Sequence, residues 1–146
     1  MAIPTKLTLE IVTPDRSLIR EEVDEVVVPG TEGELGVLPG HTPLLTTLKI
    51  GELWYRRGQE KHYLAIAFGF VEVLPDRVTV LADVGERAQE IDVQRAERAK
   101  QRAEQRLAQA PPPHLTQVDL DIERARVALM KALIRLQVAN RARTRA

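Results

Sequence analysis

The residues that could do covalent or acid–base chemistry are few and scattered. The single serine, Ser17, lies in a polar stretch with no turn that would present it as a nucleophile. The histidines, His41, His62 and His114, are isolated and show no metal-ligand spacing. His62 falls on an expected strand edge and His114 in an expected proline turn, where solvent or the turn satisfies them. His41 follows Pro39-Gly40 and precedes Thr42-Pro43, which suits a hydrogen bond within a loop. The adjacent carboxylates Glu21-Glu22 and Asp24-Glu25 read as a solvated face, because a catalytic pair needs burial to separate its pKa values. The absence of cysteine excludes disulfides, thiolate catalysis and cysteine metal sites, and is compatible with a reducing compartment. One stretch is shaped as if for binding: residues 29–43, PGTEGELGVLPGHTP, hold four glycines and three prolines. Such a segment reads as a rigid loop. A phosphate cradle would need a following helix N-terminus and usually a lysine, whereas this stretch carries Glu32 and Glu34 and is interrupted by Pro43. A surface loop presented to another protein fits better.

These residues sit on two kinds of element. Leu7, Leu9 and Ile11 alternate with Thr8 and Glu10, the period of a half-buried strand. Val26-Val27-Val28 is a β-branched run. Leu53 and Tyr55 lead through a turn at Arg56-Arg57-Gly58-Gln59 into Tyr63–Phe68, and Leu74-Pro75-Asp76-Arg77 turns into Val78–Leu81. Closely spaced strands joined by turns argue for an antiparallel sandwich or barrel over residues 1–88. Gly69, between two phenylalanines, marks a bulge or a close backbone approach. Near residue 90 the period changes. Ala96, Ala99, Ala103 and Leu107 recur at helical spacing behind Asp92, a suitable N-cap. The prolines at 111–113 end this helix. Thr116 to Asp119 resembles a capping box, and Ile122, Ala125, Leu129, Leu133 and Leu136 form a second stripe. Residues 89–146 therefore read as an antiparallel hairpin of helices of about 17 and 24 residues. Its alanine stripe buries little area, so the hairpin should be weakly held and able to dock or extend.

Length, charge and hydropathy narrow the function. The 146 residues suit one domain with an appendage. No apolar run approaches the ~20 residues of a membrane-spanning helix, and the first residues lack a signal peptide's apolar core. The formal net charge is zero, yet residues 1–88 carry 9 basic and 14 acidic side chains, while residues 89–146 carry 12 and 7. From Arg124 onward seven residues are basic and none acidic. Two modules with different partners follow from that division. Aromatic residues make up 3%, and none lies after Phe70, so the basic module has no stacking platform for nucleic acid.

The stretch VVVPGTEGELGVLPGHTPLLTTLKIG, with AFGFVEV, VTVLAD and IDVQRAERAKQRAEQRL, resembles the epsilon subunit of the F-type ATP synthase over essentially the whole length. The resemblance implies a β-sandwich of about ten strands followed by a two-helix hairpin. It implies a non-catalytic subunit of the central rotor stalk, bound to gamma and resting on the c-subunit ring. Such a subunit is a peripheral membrane protein on the cytoplasmic face of the bacterial plasma membrane. It touches the membrane only through the complex and binds no nucleic acid. Glu32, Glu34 and His41 would face partners. The extended hairpin would insert among the alpha and beta subunits and block ATP hydrolysis, with Arg124, Arg126, Lys131 and Arg135 on its basic second helix. No cofactor is required, but some members bind ATP in the folded hairpin as a regulatory ligand. The matching positions are Glu86, Ile91, Asp92, Arg95, Ala96, Arg102 and Arg135, with Lys131 where nucleotide-binding members have arginine. Arg95 and Arg102 are two helical turns apart and share a face. Lys131 keeps the charge of arginine and loses its bidentate fork. Outside this family, a stand-alone ATP-sensing or nucleic-acid-binding module is the alternative reading.

Overall fold

The computed structural model describes residues 2–109 and 116–144, the latter with side chains from residue 121. The expected proline turn, His114 and the capping-box side chains at 116–119 lie outside the described residues. Eight strands come first: β1 (Leu7–Val12), β2 (Ser17–Val23), β3 (Glu25–Gly30), β4 (Gly33–Val37), β5 (Leu44–Leu48), β6 (Gly51–Arg57), β7 (Glu60–Leu74) and β8 (Arg77–Arg87). A 3-10 turn (Ala88–Glu90) leads into α1 (Val93–Ala108) and α2 (Thr116–Arg143).

The strands form one sheet in the order β2-β1-β8-β7-β5-β3-β4, with β6 pairing β3 and β7. Because β7 pairs β6 with its first half and β5 with its second, and both reach β3, the sheet folds over onto itself. Every strand supplies the sandwich core, which includes Leu9, Val28, Val37, Leu53, Ile66 and Val80. Each such side chain, fully buried, contributes ~1.5–3 kcal/mol. The alternation read in β1 is real, with Leu7, Leu9 and Ile11 fully buried. All pairings are antiparallel except β1 with β8, which is parallel. Among the described residues eight strands rather than about ten are counted, because β7 and β8 run unbroken, 15 and 11 residues long, where shorter elements were expected.

Two turns fall where the sequence places them, Gly58-Gln59 between β6 and β7 and Pro75-Asp76 between β7 and β8. Gly58 has φ +59°, which favours glycine. The glycine-rich stretch at 29–43 is not one loop. Pro29 and Gly30 end β3, Thr31-Glu32 form a two-residue turn, and residues 33–37 are β4. Glycine fits the strand here because a β-carbon at Gly30 would meet the Gly33 carbonyl oxygen at 2.8 Å. Gly69 makes the expected close approach without a bulge, since the β7–β8 register is the same on both sides of it.

Some side chains differ from their reading. His62 is only partly solvated: its side chain is about one-third exposed, its ring stacks on Tyr55 at 4.9 Å, and its Nε2 is enclosed 3.6 Å from the Glu60 carboxylate. Burial, and then the neighbouring Glu21 carboxylate, pushes the Tyr55 phenol up to about 12. Nor are the paired carboxylates merely solvated. Glu21 accepts from Arg57 at 3.0 Å, and Asp24 binds Lys6 and the Gly58 amide. The Lys6 ammonium, then the Gly58 N–H, hold the Asp24 carboxyl below its usual value of 3.8.

The hairpin packs through small side chains. Ala96 and Ala103 are buried on α1, and Ala125 and Ala132 on α2. It is docked, and α2 is the helix that lies along β6, β7 and the 3-10 turn. Ala65, Ala88, Ile91, Val138 and Ala139 make a second, small cluster there. Leu133, expected in the buried stripe, is 45% exposed, and Ala132 takes its place. The helix serves two neighbours, α1 and the sandwich: Ala125, Ala132 and Ala139 lie seven residues apart on one stripe, and Val138 lies beside it.

Candidate functional site

Asp92 fixes the start of α1. Its carboxylate accepts from the Arg95 backbone N–H at 3.0 Å, satisfying a donor that the helix leaves open. That cap sets the phase of α1, so Arg95, Ala99 and Arg102 all turn toward a cleft between the hairpin and the sandwich. From the other side α2 contributes Ala128, Lys131, Ile134 and Arg135, and the sheet contributes Ile50, Ala65–Ala67, Val84–Glu86 and Asp15. The cleft holds about 690 Å³, within the usual range for a small-molecule site.

Four cations and two carboxylates line it, an excess of two positive charges. They are not equivalent. Arg135 is committed to Glu86 by a bidentate pair, Nε–Oε2 at 2.8 Å and Nη2–Oε1 at 3.0 Å. Both side chains are about three-quarters buried. Lys131 lies 5.8 Å from the Phe68 ring centre. Arg95 and Arg102 make no side-chain hydrogen bond or ion pair among the described residues. The remaining walls are aliphatic. Cations free to bind, set beside apolar walls, suit a polyanion that carries an apolar ring. The lining has no serine, cysteine or histidine, and among the described residues no group of three or more His, Asp and Glu could hold a metal ion.

Of the eight positions carried over for nucleotide, the structure brings five to the cleft: Glu86, Arg95, Arg102, Lys131 and Arg135. The other three stand behind it. Ile91 is buried in the small cluster under α2, Asp92 is spent on the cap, and Ala96 is fully buried.

The positions carried over for partners are dispersed. Glu32 is exposed at the tip of the β3–β4 turn, tied to the end of β5 by the Thr31–Thr47 hydroxyl contact at 2.7 Å. Glu34 lies exposed on β4. His41 lies beyond the other end of β5, where the Gly40 N–H donates to the Pro75 carbonyl at 2.7 Å. Its Nδ1 is 2.7 Å from the Thr42 carbonyl oxygen, the local hydrogen bond expected of it. Arg124 and Arg126 are exposed on α2, within 4 Å of Asp121 and Glu123 one turn earlier.

One surface was missed in the sequence. Leu45, Phe70 and Leu81 lie on the outer face of three adjacent strands, 68%, 53% and 53% exposed. Phe70 pairs Leu81 directly and Thr47 on the other side. Alternation was the available signal: if Val71 and Val73 face the core, Phe70 faces out.

Comparison with known proteins places this architecture. Residues 6–88 match the family model described as ATP synthase, Delta/Epsilon chain, beta-sandwich domain. Residues 89–140 match its companion, the long alpha-helix domain. The chain is 49% identical over 136 residues to "ATP synthase epsilon chain 2" of Syntrophotalea carbinolica, covering 93% of this chain and 95% of that one. It is 52% identical to "ATP synthase epsilon chain" of Syntrophobacter fumaroxidans, covering 93% and 97%. In fold it is similar to a chain of the Euglena gracilis mitochondrial ATP synthase solved as OSCP/F1/c-ring, with TM-score 0.78 and 24% identity over 99% of this chain and 84% of that one. It is also similar to a chain from the central stalk and c-ring of the Tetrahymena thermophila enzyme, with TM-score 0.60 and 14% identity over 91% and 99%. A sandwich and a helical hairpin, each matched by its own model and together covering residues 6–140, make this chain a member of the ATP synthase delta/epsilon chain family.

Proposed function

We propose that this chain is the non-catalytic central-stalk subunit of a proton-translocating F-type ATP synthase, and that its hairpin is a hydrolysis brake that ATP holds off by keeping it docked. The sandwich couples rotation of the c ring to the catalytic head. Its apolar outer face at Leu45, Phe70 and Leu81 supports a contact with the gamma subunit, since such a face on a rigid sheet favours a protein partner. The Glu32 turn and the His41 loop are the proposed contacts with the c ring. Extended, α2 would bring Arg124, Arg126, Lys131 and Arg135 to the alpha and beta subunits, where basic charge favours acidic surfaces. The complex would place the chain at the cytoplasmic face of the bacterial plasma membrane. No helix among the described residues is long and apolar enough to cross it.

The observation that carries the regulatory reading is the cleft under the hairpin, with Arg95 and Arg102 unpaired on one wall and Lys131 on the other. Phosphates bound between those walls would join α1 to α2 across the cleft and favour the docked hairpin by mass action. Ile134 and the alanines of β7 supply the apolar surface an adenine needs. Isothermal titration of ATP into the full chain tests this, beside the double variant Arg95→Ala, Arg102→Ala. Heat in the parent that vanishes in the variant is expected. Silence in both at millimolar ATP would leave a brake that ATP does not address.

A further inference from the structure

We infer that the docked hairpin has a second fastening outside the cleft, in which Glu52 on β6 captures Arg141 and Gln137 from the last turns of α2. The inference rests on the reading that the hairpin can leave the sandwich. It does not depend on whether ATP binds.

Glu52 is the second residue of β6, paired across the strands with Ala65, which offers its side chain no partner. Its side chain is 12% exposed in the docked state. A carboxylate so enclosed needs donors. Among the described residues both that reach it come from α2: Arg141 Nε at 3.3 Å and Gln137 Nε2 at 3.5 Å, one helical turn apart, meeting the same oxygen. The Arg141 guanidinium also lies 5.3 Å from the Tyr63 ring centre, so β7 holds the cation that β6 attracts. The end of α2 is thereby attached to two adjacent strands.

The position of this contact gives it a separate role. Glu52, Gln137 and Arg141 do not line the cleft, whereas Arg135 and Glu86 do. An anion entering the cleft competes with Glu86 for Arg135 and can dissolve that pair. It cannot reach Glu52. The docked state thus has one electrostatic contact that a ligand takes over and one that it leaves intact. The second contact keeps α2 in place while Arg135 changes partner. It also biases the empty chain toward docking, in a way that salt weakens.

Amide hydrogen exchange of the full chain without nucleotide, at low salt, tests the fastening. The parent is compared with Glu52→Gln, Arg141→Gln and the charge-exchanged double variant Glu52→Arg, Arg141→Glu. Each single variant should exchange residues 136–143 about two- to five-fold faster than the parent, the range for an ion pair whose arginine is half exposed. The double variant should return toward the parent, and molar salt should bring the parent to the rate of the singles. Protection in β1 and β8 reports whether Glu52→Gln has disturbed the sandwich. Arg141→Gln, at a half-exposed helix position, keeps the test decisive if it has. Parent-like exchange in Arg141→Gln, or no recovery in the double variant, overturns the inference. A failed ATP titration would not affect this measurement.

Discussion

A β-carbon at Gly69 would lie 2.0 Å from the Leu81 carbonyl oxygen, and the residue has φ +125°, a conformation that side chains rarely adopt. Phe68 beside it has φ +62°, so two consecutive residues take the left-handed half of backbone space at the point where β7 passes from β6 to β5. Gly69→Ala must therefore displace β8 or strain the crossing, and should destabilise the chain by at least ~2 kcal/mol. Urea denaturation followed by circular dichroism reads this, and a parent-like midpoint would show that the crossing yields freely. The close approach at Gly69 was legible because Phe-Gly-Phe within an apolar strand has few explanations. Asp92 was legible for a similar reason, since an N-cap and its donor are three residues apart. The Glu86–Arg135 pair was not readable as a contact from spacing, because its partners lie 49 residues apart. The resemblance supplied both positions and only the fold joins them.

At the scale of elements, the contrast between core and hairpin decides what can move. The sandwich buries large aliphatic side chains from all eight strands, whereas the helices bury five alanines and Val138. An alanine interface holds two helices close but weakly, and it has no room for a larger residue. Ala103→Leu should cost ~1–3 kcal/mol of helix pairing by overpacking. Faster amide exchange throughout α1, with β-strand protection unchanged, is the expected result. Equal exchange in α1 would mean that the helices already stand apart in solution. Period-two alternation made β1 readable, and turn residues made the β6–β7 and β7–β8 hairpins readable. β2 gave no such signal, because Arg20-Glu21-Glu22 reads as polar surface while Leu18, Ile19 and Val23 enter the core. The stripe on α2 was only partly readable. Ala125 is buried as expected, but Leu133 gives way to Ala132 because the helix divides its contacts between α1 and the sheet.

For the whole molecule, the opposite charge of the two halves acquires a geometric meaning. The basic helices lie on an acidic sandwich, and the contacts that join them include Arg135–Glu86 and Arg141–Glu52. Arg135 is also a cation that an anionic ligand in the cleft could claim, whereas Arg141 stands outside the cleft. Docking is then a competition among carboxylates, phosphates and partner surfaces for a few arginines, with modest apolar burial beneath. The composition predicted two modules with different partners, but the cleft they enclose exists only when they meet. The decisive measurement of a nucleotide-held brake is ATP hydrolysis by an assembly of alpha, beta and gamma subunits, with the parent chain or the Arg95→Ala, Arg102→Ala variant added. Both chains should slow hydrolysis, and at millimolar ATP the variant should slow it more, because its hairpin is no longer held off by nucleotide. Hydrolysis unchanged by a bound parent chain, or equal inhibition by parent and variant at every ATP concentration, would contradict such a brake.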